Sequence, residues 1–293
     1  MMKQEIKCPH CKKIDIVRRG YFQTSKGKQQ VYFCKSCKKK FKIRNSFYRM
    51  RNHEKKITLC LDLFYRGMSL RKIQEHLQAF YPHNASHMSV LRWVRKYSVV
   101  IGNYTDKLKL QIGEEIQVDE MEFKTKGKKT WFIDSIDPKT KFMVSSEFTK
   151  TREQVELKKV MQKAKIKTGN QIKIITTDGY LAYEKIVKGI GGYNNKLGKH
   201  NIRHNIVNAS RGEGFNHPIE RLHNNIRERT KIFRGFGSFE SAKVIMKGYE
   251  VFHNFIRKHQ AIKKYPYELA IPNLKLNSPN RWLDLIKLAD KTI

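Results

Sequence analysis

Three carboxylates stand where chemistry could be done: Asp119 in IQVDEMEF, Asp178 in IKIITTDGY and Glu220 in HPIERLHNNIRERT. The surrounding chain of 293 residues is strongly basic, with 61 Lys and Arg against 26 Asp and Glu and a formal net charge of +35. Carboxylates gathered in so basic a protein suit divalent cations working on a phosphate backbone, because hard oxygen ligands select Mg²⁺ (or Mn²⁺). Two such ions about 3.5–4 Å apart activate an attacking oxygen and stabilise a leaving one. The charge surplus itself points to nucleic acid as partner, since each neutralised phosphate releases condensed counterions. A lysine-rich composition with no nucleic-acid role is the plainer alternative.

A second constellation is Cys8-Pro-His-Cys11 and Cys34-Lys-Ser-Cys37, two CxxC knuckles separated by 22 residues. Each knuckle turns two thiolates onto one tetrahedral Zn²⁺, and together they close a structural site. His10 and His53 are left as surface residues, and Cys60, among apolar helix residues, as an inert core thiol. Lys38, Lys39 and Lys40, with Lys42 and Arg44, follow the second knuckle and are candidates for phosphate contact; a solvated basic face would look the same.

The elements that must position these residues fall into a multidomain order. Residues 1–47 read as a zinc β-ribbon, with strands near Ile16–Phe22 and Gln30–Phe33 about a turn at Ser25-Lys26-Gly27-Lys28. So short a segment buries little core, and the metal supplies most of its folding energy. Residues 50–105 read as a small helical domain of helix-turn-helix type. A helix ends at Gly67, Ser69 caps a second, and SHMSVLRWVRKYS forms a basic third. Ser86, His87, Ser89, Arg92 and Lys96 are then the DNA-facing candidates. The link between the second and third helices is longer than the usual tight turn, so a packed helical linker is the alternative.

From residue 112 to 262 the pattern is that of an α/β core. EEIQVDEMEF, KKTWFIDSID and KFMVSSEFT read as three strands, followed by a helix over Thr151–Ala164 and the buried strand QIKIITT. A helix over Leu181–Lys188, a strand IRHNIV and a long helix capped by Asn216 complete the order βββαβαβα. That is the order of an RNase H-like fold, a mixed five-stranded sheet flanked by helices. Its first and fourth strands are neighbours, which predicts Asp119 beside Asp178 with the last helix bringing Glu220 toward them.

Each carboxylate has a duller reading: an exposed strand residue for Asp119, a turn for Asp178 before Gly179, a dipole complement for Glu220. Glu213, between two glycines, rivals Glu220, while Asp134, Glu120 and Glu122 are weaker rivals and Asp137 reads as a turn residue. On the last helix Ile219, Leu222 and Ile226 form the core stripe. Glu220, His223, Asn224 and Arg227 share another face, and the last three are DNA-contact candidates.

The phrases VDEMEF, ITTDGYLAYEK, NHPIERLHNNIRERTKIFRGFGSFESA and GYEVFHNFIRKHQAI resemble the DDE-type transposases of insertion sequences. The resemblance extends to the CPHC…CKSC ribbon, to the helices after it and to PYELAIPNL and NRWLDLIK in a tail over 263–293. It implies Asp119, Asp178 and Glu220 as the catalytic trio holding two Mg²⁺ ions, with Glu220 completing the shell. It further implies DNA cleavage at element ends, joining of the freed 3′-hydroxyl to target DNA, recognition of terminal inverted repeats, and a homodimer or higher oligomer. A non-catalytic DNA-binding regulator and a nuclease that cuts without joining are the alternatives. MMKQEIKCPH has no apolar run, and no stretch approaches the ~18–20 apolar residues of a membrane span, so a soluble, cytoplasmic, nucleoid-associated protein is expected.

Overall fold

The computed structural model describes residues 6–24, 27–81, 85–207 and 217–292. Two compact units divide the chain, one of Met1–Arg51 with Asp290–Ile293 and one of Asn52–Ala289.

In the first unit, β1 (Ile16–Thr24) and β2 (Gly27–Cys34) form an antiparallel hairpin whose register slips between Arg18 and Tyr21. Gly20, with φ of +70°, sits within that slip and adopts it without a Cβ penalty. Two residues of the expected turn, 25 and 26, lie outside the described residues. A third strand, β3 (Lys40–Lys42), pairs with β2 and drives Phe41 inward onto Tyr32. The basic stretch after the second knuckle is therefore partly strand, which the lysines on either side of Phe41 concealed. Phe41, Cys8 and Cys34 make a minimal core, too small to hold a fold unaided.

The second unit begins with α1 (Glu54–Tyr65), α2 (Leu70–Phe80) and α3 (His87–Thr105). Gly67 closes α1 at φ +114°, and the Ser69 and Ser86 hydroxyls cap α2 and α3 by accepting from Lys72 and Ser89 N–H groups. At 19 residues α3 outruns its sequence expectation, because Tyr97 and Ile101 continue the buried stripe of Val90, Trp93 and Val94. Its far half packs on α7 (Phe239–Val251). The approach is close: a Cβ at Gly248 of α7 would stand 1.9 Å from the Tyr65 hydroxyl and 2.2 Å from that of Ser98. After a π-helical turn (Phe252–Ile256) and α8 (Pro266–Ala270), α9 (Arg281–Thr292) returns to α1, where Trp282 stacks on Tyr65 at 5.4 Å. The helical segment expected at 50–105, the core expected at 112–262 and most of the tail thus share one compact unit.

The sheet of this unit carries β4 (Glu115–Thr125), β5 (Lys128–Ile136), β6 (Met143–Thr149), β7 (Ile174–Thr177) and β10 (Arg203–Ile206). Its order is β10-β7-β4-β5-β6; β10, β7, β4 and β6 run in one direction and β5 alone runs antiparallel to its neighbours β4 and β6. This mixed five-stranded sheet resembles the RNase H-like core. Helices α4 (Gln154–Lys167), α5 (Ala182–Gly191) and α6 (His217–Lys231) flank it. The polar connection before β10 holds a small hairpin, β8 (Tyr193–Asn194) with β9 (Lys199–His200). Asn216, the expected cap of α6, lies outside the described residues. Asp106 at the end of α3 pairs with Lys167 of α4 at 2.7 Å and Lys247 of α7 at 2.6 Å, tying three helices together. No helix among the described residues is long and apolar enough to cross a membrane.

Candidate active site and metal centre

Strands β4 and β7 pair in parallel register, Glu115 opposite Ile174 and Gln117 opposite Thr176. Carried two residues further, that register brings Asp119 level with Asp178, the first residue beyond β7. Adjacent strands lie about 4.8 Å apart, so the two residues are neighbours in backbone position, while the charge of Asp178 acts on Glu120 of β4. Asp178 Oδ1 also accepts from the Tyr180 N–H at 3.0 Å, so it serves the turn as well. Asp137 is the turn residue its sequence implied, accepting from Lys139 and Thr140.

On the α6 face, Asp119 Oδ1 accepts from the Glu120 N–H at 2.8 Å, and Oδ2 lies 3.4 Å from His223 Nδ1. His223 Nε2 meets Asp134 Oδ1 at 2.7 Å. Asp134 faces Asp119 across the β4–β5 register and is wholly buried, and its second oxygen has no partner among the described residues. His223 therefore bridges two carboxylates. Burial pushes Asp119 up to about 7; His223 opposes the shift, while Asp134 and Glu120 add to it. Burial works against protonation of His223, but Asp134 and Asp119 outweigh it and raise its pKa. An Asp119 held so high without a cation is a carboxylate whose charged form a divalent ion would stabilise, so the hard-oxygen donors here fit such an ion.

The opposite face of β4 carries Glu120, which accepts from the Tyr183 hydroxyl and pairs with Arg152 at 3.1 Å. Burial, followed by the negative charge of Asp178, raises the Glu120 pKa despite those partners. The Arg152 guanidinium lies between the rings of Trp131 (4.6 Å) and Tyr180 (4.8 Å).

Glu220 stands half-buried in the first turn of α6, one turn before His223. Among the described residues the four cysteines are the only group of three or more potential ligands whose atoms converge within 4.8 Å. Asp119, Asp178 and Glu220 are thus not drawn onto a common point. Glu213, the rival for the third carboxylate, lies outside the described residues. One expectation is corrected: His223 is only 2% exposed and faces Asp119 and Asp134, so it is not a DNA-facing residue. Asn224 and Arg227 are exposed, joined by an Arg227 Nη1 to Asn224 Oδ1 bond of 3.1 Å.

The cysteines form a second centre. Cys8 and Cys37 sulfurs are 3.6 Å apart, and those of Cys11 and Cys34 are 3.5 Å apart. A tetrahedron with Zn–S of about 2.3 Å has edges of about 3.8 Å, whereas a disulfide would need about 2.0 Å. The set fits one zinc ion. Lys38, Lys39 and Lys40 beside it are exposed. At the start of α3, Arg92 is exposed and Lys96 half-buried, Ser86 and Ser89 are bonded to each other, and His87 is held by Gln74 at 3.1 Å.

The family model of the DDE domain matches residues 113–259, half of the chain and the whole span that carries these carboxylates. The chain belongs to the DDE-type transposases. Among solved structures, this DDE-type chain is similar to the HTLV-2 integrase catalytic core domain in complex with magnesium. That match has 14% identity and a TM-score of 0.38, covering 55% of this chain and 98% of that one. A second similar structure is the Drosophila P element transposase strand transfer complex, at 16% identity and a TM-score of 0.37, covering 85% and 66%. No curated protein sequence matches.

In the sequence of this DDE-type chain Asp134 is only a weaker rival for the third carboxylate, not a partner of His223, and Tyr183 is not singled out. The one available signal was alternation: Asp134 falls between Ile133 and Ser135 in a strand buried on both faces, where an acid needs a partner.

Proposed function

We propose that this chain is an insertion-sequence transposase. It cleaves DNA strands at the element's terminal inverted repeats and joins the freed 3′-hydroxyl to target DNA. The observation that carries the reading is Asp119, raised to about 7 by burial and level in register with Asp178, inside a DDE domain. In this reading Asp119 and Asp178 hold two Mg²⁺ ions, and Glu220 completes the shell. Those ions supply Lewis-acid activation of the attacking oxygen and stabilisation of the leaving one.

The chain's own residues do the rest. His223, backed by Asp134, fixes the orientation of Asp119. Asn224 and Arg227 contact the substrate's phosphates from the exposed side of α6. Lys38, Lys39 and Lys40 on a zinc-held ribbon (residues 1–47) and Ser86, His87, Ser89, Arg92 and Lys96 on a helix-turn-helix (50–105) recognise the element ends. Because Ser86 already caps α3, its part is positional, while Arg92 is the exposed donor. Two ends must be held together for joining, which calls for a homodimer or higher oligomer.

The test is incubation of the protein with cognate element ends and Mg²⁺, comparing wild type with Asp119→Asn and Glu220→Gln. Both variants are expected to lose cleavage and joining by at least about 100-fold while binding the ends normally. Undiminished reaction by both would overturn the site. Binding without cleavage by the wild type would favour a regulator, and cleavage without joining a nuclease.

A further inference from the structure

Past Asp178 the chain turns through Tyr180 into α5, and this turn is held at both ends by side chains that the proposed chemistry does not use. At one end the Tyr183 hydroxyl donates to Glu120 Oε2 of β4. At the other, the Arg152 guanidinium lies between the rings of Tyr180 and Trp131, and its Nη1 donates to Glu120 Oε1 at 3.1 Å. The two ends are themselves joined, since the Tyr183 N–H donates to the Tyr180 carbonyl at 3.1 Å. Asp178 is fastened to the same turn through the Tyr180 N–H. Arg152 reaches this place from a fixed base between β6 and α4, where the Thr149 hydroxyl donates to the Thr151 carbonyl at 2.6 Å. One guanidinium thus joins β4, β5 and the loop that carries Asp178. Glu120 gives the arrangement its consequence. Its side chain is 4% exposed, it follows Asp119 directly in the chain, and the negative charge of Asp178 acts on it. Left free, this carboxylate would push Asp178 aside or enter a metal shell in its place. Arg152 and Tyr183 occupy both of its oxygens.

We propose that Arg152 is a positioning residue for the metal site: it holds Glu120 away from the ions and fixes the Tyr180 turn, so that Asp178 stays level with Asp119. The inference rests on Asp119 and Asp178 as metal ligands. A guanidinium suits the task because one planar group stacks on two rings and hydrogen-bonds a carboxylate at its edge, which an ammonium does not do.

The test uses the full-length protein. Mn²⁺ binding is measured by electron paramagnetic resonance without DNA, and cleavage of a duplex carrying the element's end is followed across Mg²⁺ concentrations. The Arg152 side chain is 43% exposed, so Arg152→Ala should melt close to wild type. It should weaken Mn²⁺ binding about 10-fold and raise the Mg²⁺ needed for half-maximal cleavage by a similar factor, with the rate at saturating Mg²⁺ within about 2-fold. Arg152→Lys keeps a charge beside Glu120 without the stacking, and should recover only part of the loss. Arg152→Ala/Glu120→Gln removes the competing carboxylate and should bring Mn²⁺ affinity back to within about 3-fold of wild type. Wild-type Mn²⁺ affinity in Arg152→Ala would overturn the proposal. So would a lower rate at saturating Mg²⁺ with affinity unchanged, which would place Arg152 on the DNA instead. If Arg152→Ala melts early, Tyr180→Leu, at a ring 37% exposed, takes its place, and normal Mn²⁺ binding by it counts equally against the proposal. Asp178→Asn separates the two readings: undiminished Mn²⁺ binding in it refutes the metal site, whereas weakened binding beside a normal Arg152→Ala refutes only the positioning role.

Discussion

His223 holds its place by contacts that no neighbouring residue in sequence supplies. Its two ring nitrogens face Asp119 and Asp134, one on β4 and one fully buried in β5. Removing the imidazole leaves Asp134 unpartnered in the core, where burial already raises its pKa and its charged form has no other counterion, the costly half of a buried pair. His223→Ala is therefore expected to lower stability by about 3–5 kcal/mol, read by urea unfolding. The double variant with Asp134→Asn should recover part of that loss, since a neutral amide replaces the stranded charge. Additive losses in the double variant would show that the two residues do not act as a pair.

At the scale of elements, the π-helical turn at Phe252–Ile256 fastens the end of α7 to the turn between β5 and β6. Its His253 is buried, and Nε2 donates to the Lys141 carbonyl at 2.8 Å. Asn254 makes two bonds to the Met143 backbone beside it. Burial pushes His253 down to about 4. An imidazole with a depressed pKa binds its proton more readily unfolded than folded. Its stabilising contribution is complete above about pH 6.5 and is lost as pH falls from 6.5 toward 4. The shift corresponds to on the order of 3 kcal/mol. Unfolding free energies across pH 7 to 4 should fall by about that amount in wild type, with a shallower slope in His253→Gln. An unchanged slope in the variant would assign the acid sensitivity to other groups.

Over the whole molecule, the two units are stabilised by different means. The second has a continuous apolar core in which Tyr65, Phe64, Trp282 and Phe252 interlock α1, α9 and the π-turn. The first has only Cys8, Cys34 and Phe41 as a core, beside four converging thiols that fit a metal ion. A strong zinc chelator is therefore expected to unfold the ribbon and leave the Asn52–Ala289 unit folded, seen as selective loss of ribbon amide signals by NMR. Metal analysis should find one zinc per chain in wild type and none in Cys8→Ser/Cys34→Ser. Retained zinc in that variant would reject the four-sulfur site.

Much of this architecture follows from short-range pattern. The CxxC spacing determines which thiols can meet, because a knuckle closes within four residues. Alternation in VDEMEF and the apolar run IIT mark β4 and β7, and chain order then makes them neighbours. Asp119 and Asp178 were legible for that reason. The inward turn of His223 was not: at the margin of the stripe of Ile219, Leu222 and Ile226, a polar residue is buried only if a distant partner meets it. Asp134 is that partner, 89 residues earlier in the chain. The strand at Phe41, the return of Trp282 to Tyr65 and the meeting of Arg152 with Tyr180 likewise depend on long-range packing. The sequence by itself determined which residues could do chemistry and on which elements they ride. Only the tertiary structure decided which way His223 faces and what Arg152 holds, because burial and pairing are set by neighbours in space rather than along the chain.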